Sequence, residues 1–153
     1  MFYMVRLFWP KIQVSAAYPL AQAYHESAAW KSPLFLRGHN MFGMKPATKR
    51  SSTATGTVLI GRMTYAAFRS PLDSIRDYFK RLDYYNITTD AELLANIKSV
   101  YATDPNYMPK LEAVRLQLSP TIISPALVSI VSLCFTIAAF FGLYRGVNSV
   151  LSA

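Results

Sequence analysis

Cysteine is almost absent from this chain: Cys134 stands alone among 153 residues. An intramolecular disulfide is therefore excluded, and one cysteine with two histidines argues against a structural zinc site. Charge is scarce too, at 16% of residues, where soluble proteins carry about 25%. Acidic charge is scarcest, with 8 acids against 16 bases and a formal net charge of +8. Hydrophobic residues make up 52%, which excludes an intrinsically disordered chain. The basic balance points to polyanions or anionic surfaces and carries no information on fold. Its basic and aromatic residues follow no RNA-module pattern, so no nucleic-acid partner is expected. No cofactor or metal ion is expected either.

The apolar excess is concentrated. No charged residue lies between Arg115 and Arg145. The centre of that stretch, ALVSIVSLCFTIAAFFGLY from Ala126 to Tyr144, carries only serine, threonine and tyrosine hydroxyls as polar side-chain groups beside its one thiol. A helix needs roughly 20 apolar residues to cross a ~30 Å hydrocarbon core. Pro120 and Pro125 sit at its N-terminal edge, where proline is tolerated, and Tyr144 and Arg145 suit an interfacial end. A buried core helix is the competing reading, but a domain this small rarely buries a helix on all sides. The expected organisation is a soluble domain over 1–118, a linker over 119–125, a transmembrane helix over 126–146 and a tail over 147–153. The N-terminal MFYMVRLFWPK is apolar but short, and Arg6 interrupts it, so it does not read as a signal peptide.

The front domain reads as mainly helical with a small β element. Residues 12–30 are Ala-rich and predict a helix, with Pro19 at its start or at a kink. Pro33, Gly38, Gly43 and Pro46 break 31–50 into loop and short helical pieces. Residues 51–70 alternate loosely and predict a β-hairpin. Ser70-Pro71-Leu72-Asp73 predicts an N-cap and a helix to about Tyr84. Thr89-Asp90-Ala91-Glu92 predicts a capping box and a helix to about Tyr101. Asp104-Pro105 opens a last helix, ending near Leu118.

Most acids have an ordinary explanation. Asp73, Asp90, Glu92 and Asp104 stand at helix starts, near the positive end of a dipole. Asp77, Asp83 and Glu112 lie among basic residues and read as solvated. Glu26 differs. It is the only acid before Asp73, and it sits late in an apolar helix beside His25 and Ser27, with Trp30 one turn on. A carboxyl against aromatic, apolar surface resists ionisation, which suits a general acid. A surface glutamate paired with Lys31 or Arg37 is the plainer alternative.

The surroundings of Glu26 carry more. From Ala21 the chain reads AQAYHESAAWKSPLFLRGHNMFGMK. Glu26-Ser27, Ser32, Leu34 and Asn40-Met41-Phe42-Gly43-Met44-Lys45 fall in order. SPLDSIRDYFKRL follows, and then Tyr101-Ala102-Thr103-Asp104-Pro105-Asn106-Tyr107 with Lys110-Leu111. Together these resemble the glucosaminidase domain of peptidoglycan hydrolases, the group of flagellar muramidases and autolysins, over about residues 12–118. The resemblance implies an α+β, mainly α fold: a lysozyme-like α-lobe with a small β-hairpin lobe across a cleft. It implies cleavage of peptidoglycan next to N-acetylglucosamine, with Glu26 protonating the leaving oxygen. Tyr101 would lie near the reacting sugar and hold an N-acetyl group or a water. Candidates for substrate contact are Trp30, Ser32, Asn40, Phe42, Gly43, Tyr65 and Tyr107. Of these, Asn40 and Phe42 would shape the cleft floor, Gly43 would let backbone approach the sugar, and Tyr107 would face the cleft. For Phe42 and Met44, plain core packing is the competing role.

Two departures from the family pattern stand out. Ala28 replaces a glycine that often follows the Glu-Ser pair. Residues 27–72 hold no Asp or Glu, whereas two-carboxylate glycosidases set their acids roughly 5–9.5 Å apart. Single-acid chemistry is therefore expected. The nucleophile would be the substrate's N-acetyl oxygen, its 6-hydroxyl (lytic transglycosylation) or a water held by Tyr101. A non-catalytic virion or membrane protein that keeps the fold is the rival from another class; a filled cleft at Glu26 would favour it.

The expected partners are peptidoglycan glycan strands, a bilayer through 126–146 and, in one setting, other virion proteins. Lys45, Lys49, Arg50, Arg62 and Arg69 would flank the cleft and meet wall carboxylates or phosphates. Lys110 and Arg115 against Arg145 lean toward a cytoplasmic N-terminus, which sits poorly with a substrate outside the cell. A phage virion with an internal membrane resolves this; a bacterial inner-membrane enzyme whose anchor doubles as its export signal is the alternative.

Overall fold

The computed structural model describes residues 5, 7–101 and 104–122, with 119–122 as backbone alone. The predicted transmembrane helix and tail lie outside the described residues. Among the described residues no helix is long and apolar enough to cross a membrane. The chain divides into two units, Met1–Leu118 and Ser119–Ala153, and the first holds everything below except residues 119–122 at the end of the last helix.

That unit is α+β and mainly helical. Helix α1 spans Ala17–Glu26 and α2 spans Pro33–Gly38. Strands β1 (Gly56–Ile60) and β2 (Met63–Ala67) form one antiparallel hairpin, with Gly56 opposite Ala67 and Ile60 opposite Met63. Helices α3 (Pro71–Tyr84), α4 (Asp90–Val100) and α5 (Tyr107–Ile122) follow.

Local chemistry sets most of these boundaries. Ser70 accepts the Asp73 amide with proline in the first turn of α3. Thr89 and Glu92 close a reciprocal capping box at α4, worth about 1 kcal/mol as caps go. Between the strands Gly61 takes a φ of +61°, a conformation that suits the turn because glycine has no Cβ to clash. Two helices depart from expectation. α1 ends at Glu26 rather than Trp30, and α5 starts at Tyr107 and continues to Ile122, into the stretch expected as linker.

The core joins the helices to the base of the hairpin. Helix α3 supplies Ile75, Tyr78, Phe79 and Leu82, α4 supplies Leu93 and Ile97, and Leu111 closes it from α5. Each fully buried aliphatic side chain contributes about 1.5–3 kcal/mol. Gln22 is buried with them: the Tyr78 hydroxyl donates to Gln22 Oε1 at 2.8 Å, which spares both groups the cost of burial without a partner.

Candidate active site

Asn40 joins the segment after α2 to the hairpin. Its amide donates to the carbonyls of Met44 and Ala66, both at 2.8 Å. Its Oδ1 accepts the amides of Met44 at 3.0 Å and Phe42 at 3.3 Å. Asn40 is fully buried, so it shapes the 40–44 turn from within and does not floor a cleft. Phe42 stacks on Tyr78 at 4.1 Å and is 2% exposed.

The chain beyond Glu26 turns sharply. Ala28, Ala29 and Trp30 have φ of 49°, 54° and 67°. Left-handed backbone costs non-glycine residues roughly 1–2 kcal/mol each, so this turn must be held. Ser27 Oγ accepts the Trp30 amide at 3.0 Å, and the Ser32 amide donates to the Ser27 carbonyl at 2.8 Å. The Trp30 ring packs between Tyr24 and Phe35. Ser32 caps α2 by accepting the Phe35 amide. Trp30 and Ser32 thus lock the turn that ends α1 and presents Glu26.

Glu26 is half-buried on the wall of an open cavity of about 790 Å³. Its Oε1 accepts the Tyr107 hydroxyl at 2.7 Å. Tyr107 opens α5 and is 4% exposed. It stacks almost parallel on Tyr101 at 3.9 Å, and His25 meets it edge-on at 5.3 Å. Burial, then the neighbouring Glu26 charge, pushes the Tyr101 hydroxyl up to about 12. The same causes raise Tyr107. Both phenols therefore stay protonated at neutral pH and can donate hydrogen bonds. Glu26 Oε2 faces Gly43: a Cβ built there would sit 3.2 Å from it, and the φ of Gly43 is +63°. The close approach that this glycine permits within the fold is to the carboxyl, and Gly43 also lines the cavity.

The cavity wall brings together Glu26, Phe42, Gly43, Tyr65 and Tyr101 from the candidate list. Trp30, Ser32, Asn40 and Tyr107 are not part of it. Of the bases expected beside the cleft, Lys45, Lys49 and Arg50 line it, whereas Arg62 and Arg69 do not. Arg81, Tyr84 and Tyr85, at the end of α3, also line it and were not legible as site residues. Their signal was an aromatic and basic cluster, KRLDYY, at the end of an amphipathic helix.

Among the described residues Glu26 is the only acid in the wall. Asp77 is close in the fold but occupied. It is not solvated, as its basic neighbours suggested, but 1% exposed. Its carboxylate accepts two bonds from Arg50, at 2.7 and 3.2 Å, one from the Ser52 hydroxyl at 2.6 Å and one from the Thr53 amide at 2.8 Å. Burial alone would raise its pKa; the hydrogen bonds from Arg50, Ser52 and Thr53 outweigh burial and hold it below the ordinary 3.8. Asp104, expected to cap the last helix, accepts the Asn106 amide and the Lys110 ammonium just ahead of α5. Among the described residues no cluster of His, Cys, Asp or Glu could hold a metal ion.

A lone carboxylic acid braced by neutral phenols, on the wall of an open basic groove, is the equipment of a protein that cleaves glycosidic bonds. The family model for the glucosaminidase domain, described as mannosyl-glycoprotein endo-beta-N-acetylglucosaminidase, matches residues 5–119. The chain belongs to that family, which supports a glycoside hydrolase acting on peptidoglycan-type substrates. Comparison with curated proteins gives no match, and comparison with solved structures gives none.

Proposed function

We propose that the chain is an endo-β-N-acetylglucosaminidase of peptidoglycan with Glu26 as its general acid. The observation that carries this is the setting of Glu26, half-buried on an open cavity with Oε1 committed to Tyr107. That leaves Oε2 to hold the proton. The proton passes to the glycosidic oxygen as the bond to the anomeric carbon breaks, and positive charge develops on the sugar ring. Tyr101, a neutral donor in the wall, orients the N-acetyl group or the incoming water. An open cavity at Glu26 also favours an enzyme over a protein that merely keeps the fold.

One observation favours a second outcome for the same acid. No other acid lines the cavity, and Asp77 is bound to Arg50. A carboxylate nucleophile is thus lacking among the described residues. The substrate's N-acetyl oxygen or its 6-hydroxyl then attacks the anomeric carbon; in the latter case Glu26, ionised once it has protonated the leaving oxygen, takes up the hydroxyl proton, and the reaction is lytic transglycosylation.

On this reading residues 126–146 tie the enzyme to a bilayer, so that it cuts only wall within reach. We place it in a virion with an internal membrane, because the charges flanking the apolar stretch lean toward a cytoplasmic N-terminus while the wall lies outside the cell; a bacterial inner-membrane enzyme is the alternative. Flotation of the full chain with lipid vesicles tests the anchor; a chain that stays at the bottom of the gradient removes it.

The catalytic test incubates the full chain and its Glu26→Gln variant with purified peptidoglycan, with products read by mass spectrometry. Reducing-end N-acetylglucosamine from the wild type alone is the expected result. Anhydro ends move the enzyme to transglycosylation. No cleavage by either protein, with wall binding intact, returns the fold to a structural role.

A further inference from the structure

Tyr84 and Tyr85 take no part in holding Glu26, yet both line its cavity. They are 45% and 56% exposed, while the earlier aromatics of the same helix, Tyr78 and Phe79, are buried. Core packing therefore does not account for them. Their rings meet edge to face at 5.1 Å, and the Arg81 guanidinium lies 6.0 Å from the Tyr85 ring centroid. Arg81 forms no salt bridge among the described residues, and neither do Lys45 and Lys49 on the same wall. Tyr101 connects this cluster to the acid, because it feels the charges of both Glu26 and Arg81.

An aromatic face held open in a wet groove suits a ligand with one apolar face and a polar rim. A pyranose is such a ligand, since its axial C–H bonds lie against a ring while its hydroxyls stay in water. The unpaired cations ask for a negative group on that ligand. We propose that Arg81, Tyr84 and Tyr85 form a glycan subsite next to the bond-breaking position, one that stacks a sugar on Tyr85 and pairs its carboxylate with Arg81. The polymer comes from the cleavage reading above, on which this rests. In peptidoglycan the carboxylate belongs either to a stem peptide or, on a muramyl unit that has lost its peptide, to the freed lactyl group.

Binding tests the subsite apart from cleavage. The parent is the full chain with Glu26→Gln, titrated calorimetrically with three oligosaccharides of equal length. One bears stem peptides, one has them removed to free the lactyl carboxylate, and one is a neutral N-acetylglucosamine oligomer. Tyr85→Ala should weaken all three about tenfold, the scale of one lost aromatic contact, and Tyr85→Phe should restore binding. Arg81→Gln should weaken the carboxylate ligands about tenfold and the neutral one less than about twofold. Loss on the peptide-bearing ligand alone assigns the carboxylate to the stem peptide, loss on the peptide-free ligand alone assigns it to the lactyl group, and loss on both shows that Arg81 accepts either carboxylate. Unchanged binding by Tyr85→Ala overturns the stacking subsite. An equal loss on the neutral oligomer with Arg81→Gln overturns the carboxylate pairing, and a parent that binds none of the three overturns both. A Glu26-intact chain that binds but does not cleave sinks the catalytic reading and leaves the subsite standing.

Discussion

Glu26 and Asp77 are both carboxylates drawn into the fold, and they are held in opposite ways. Asp77 takes a bidentate guanidinium, a hydroxyl and a backbone amide. Each favours the charged form, so its proton is gone at any ordinary pH. Glu26 is met by neutral phenols alone, Tyr107 on Oε1 and Tyr101 beside it, and has no salt bridge among the described residues. The same chemical group is thus a structural rivet in one place and, on the proposed function, a proton carrier in the other. What separates them is the number and charge of their donors, more than their depth.

Removing the charge at each position should split activity from stability. Glu26→Gln should lower kcat by about 10³-fold, as loss of a general acid does, while stability stays within about 1 kcal/mol. Product release from peptidoglycan and thermal unfolding check the two halves. Asp77→Asn should do the reverse in stability, costing about 3–5 kcal/mol because the Arg50 charge is left buried and unpaired. A loss below about 1 kcal/mol by denaturant titration would dissolve the contrast.

The pH dependence sharpens the same point. Because the Asp77 pKa is lowered in the folded state, its contribution is fully present above the ordinary aspartate range. It is lost as pH falls through the folded value. Wild-type stability should therefore drop on acidification below about pH 4, and Asp77→Asn should flatten that limb.

Gly43→Ala should affect both properties at once. The left-handed φ costs about 1–2 kcal/mol, and the new methyl presses on Glu26 Oε2, so kcat should fall at least about tenfold. Gly56→Ala is the control, since an added Cβ there meets nothing within 4 Å. The smallest effect is expected from Tyr107→Phe. It removes one hydrogen bond worth about 1 kcal/mol, so kcat should drop about fivefold with KM unchanged. A change in KM instead would mean that Tyr107 touches substrate.

The parts legible in the sequence were those whose causes are local. Ser70 and Thr89 cap helices through amides three residues away, and such spacing can be read directly. Glu26 was legible as an isolated acid in an apolar helix with a family-like neighbourhood. What escaped depends on distant pairing. The ligands of Asp77 come from a segment that precedes it by more than 20 residues in the chain. On α3 it sits at the edge of the apolar stripe, where burial and exposure read alike. Asn40 and Tyr107 were legible as important residues but not in their roles. A buried amide that ties a turn and a sugar-binding amide look the same in one dimension. Tyr84 and Tyr85 close a helix whose other aromatics point inward, so beyond the KRLDYY cluster little in the pattern marked them as exposed.

The stretch from Lys45 to Lys49 hangs between two buried polar fasteners, Asn40 gripping Met44 and Asp77 gripping Arg50. It resembles a bridge deck whose piers stand in the core. Lengthening such a deck costs closure entropy that grows only with the logarithm of its length, about 0.6 kcal/mol per doubling. Insertions and charge changes there would retune which polymer the groove admits while Glu26, Tyr107 and Gly43 keep their places. On the proposed function, this architecture separates the tuning of specificity from the preservation of chemistry, so a descendant of this chain could change its target wall without rebuilding its acid.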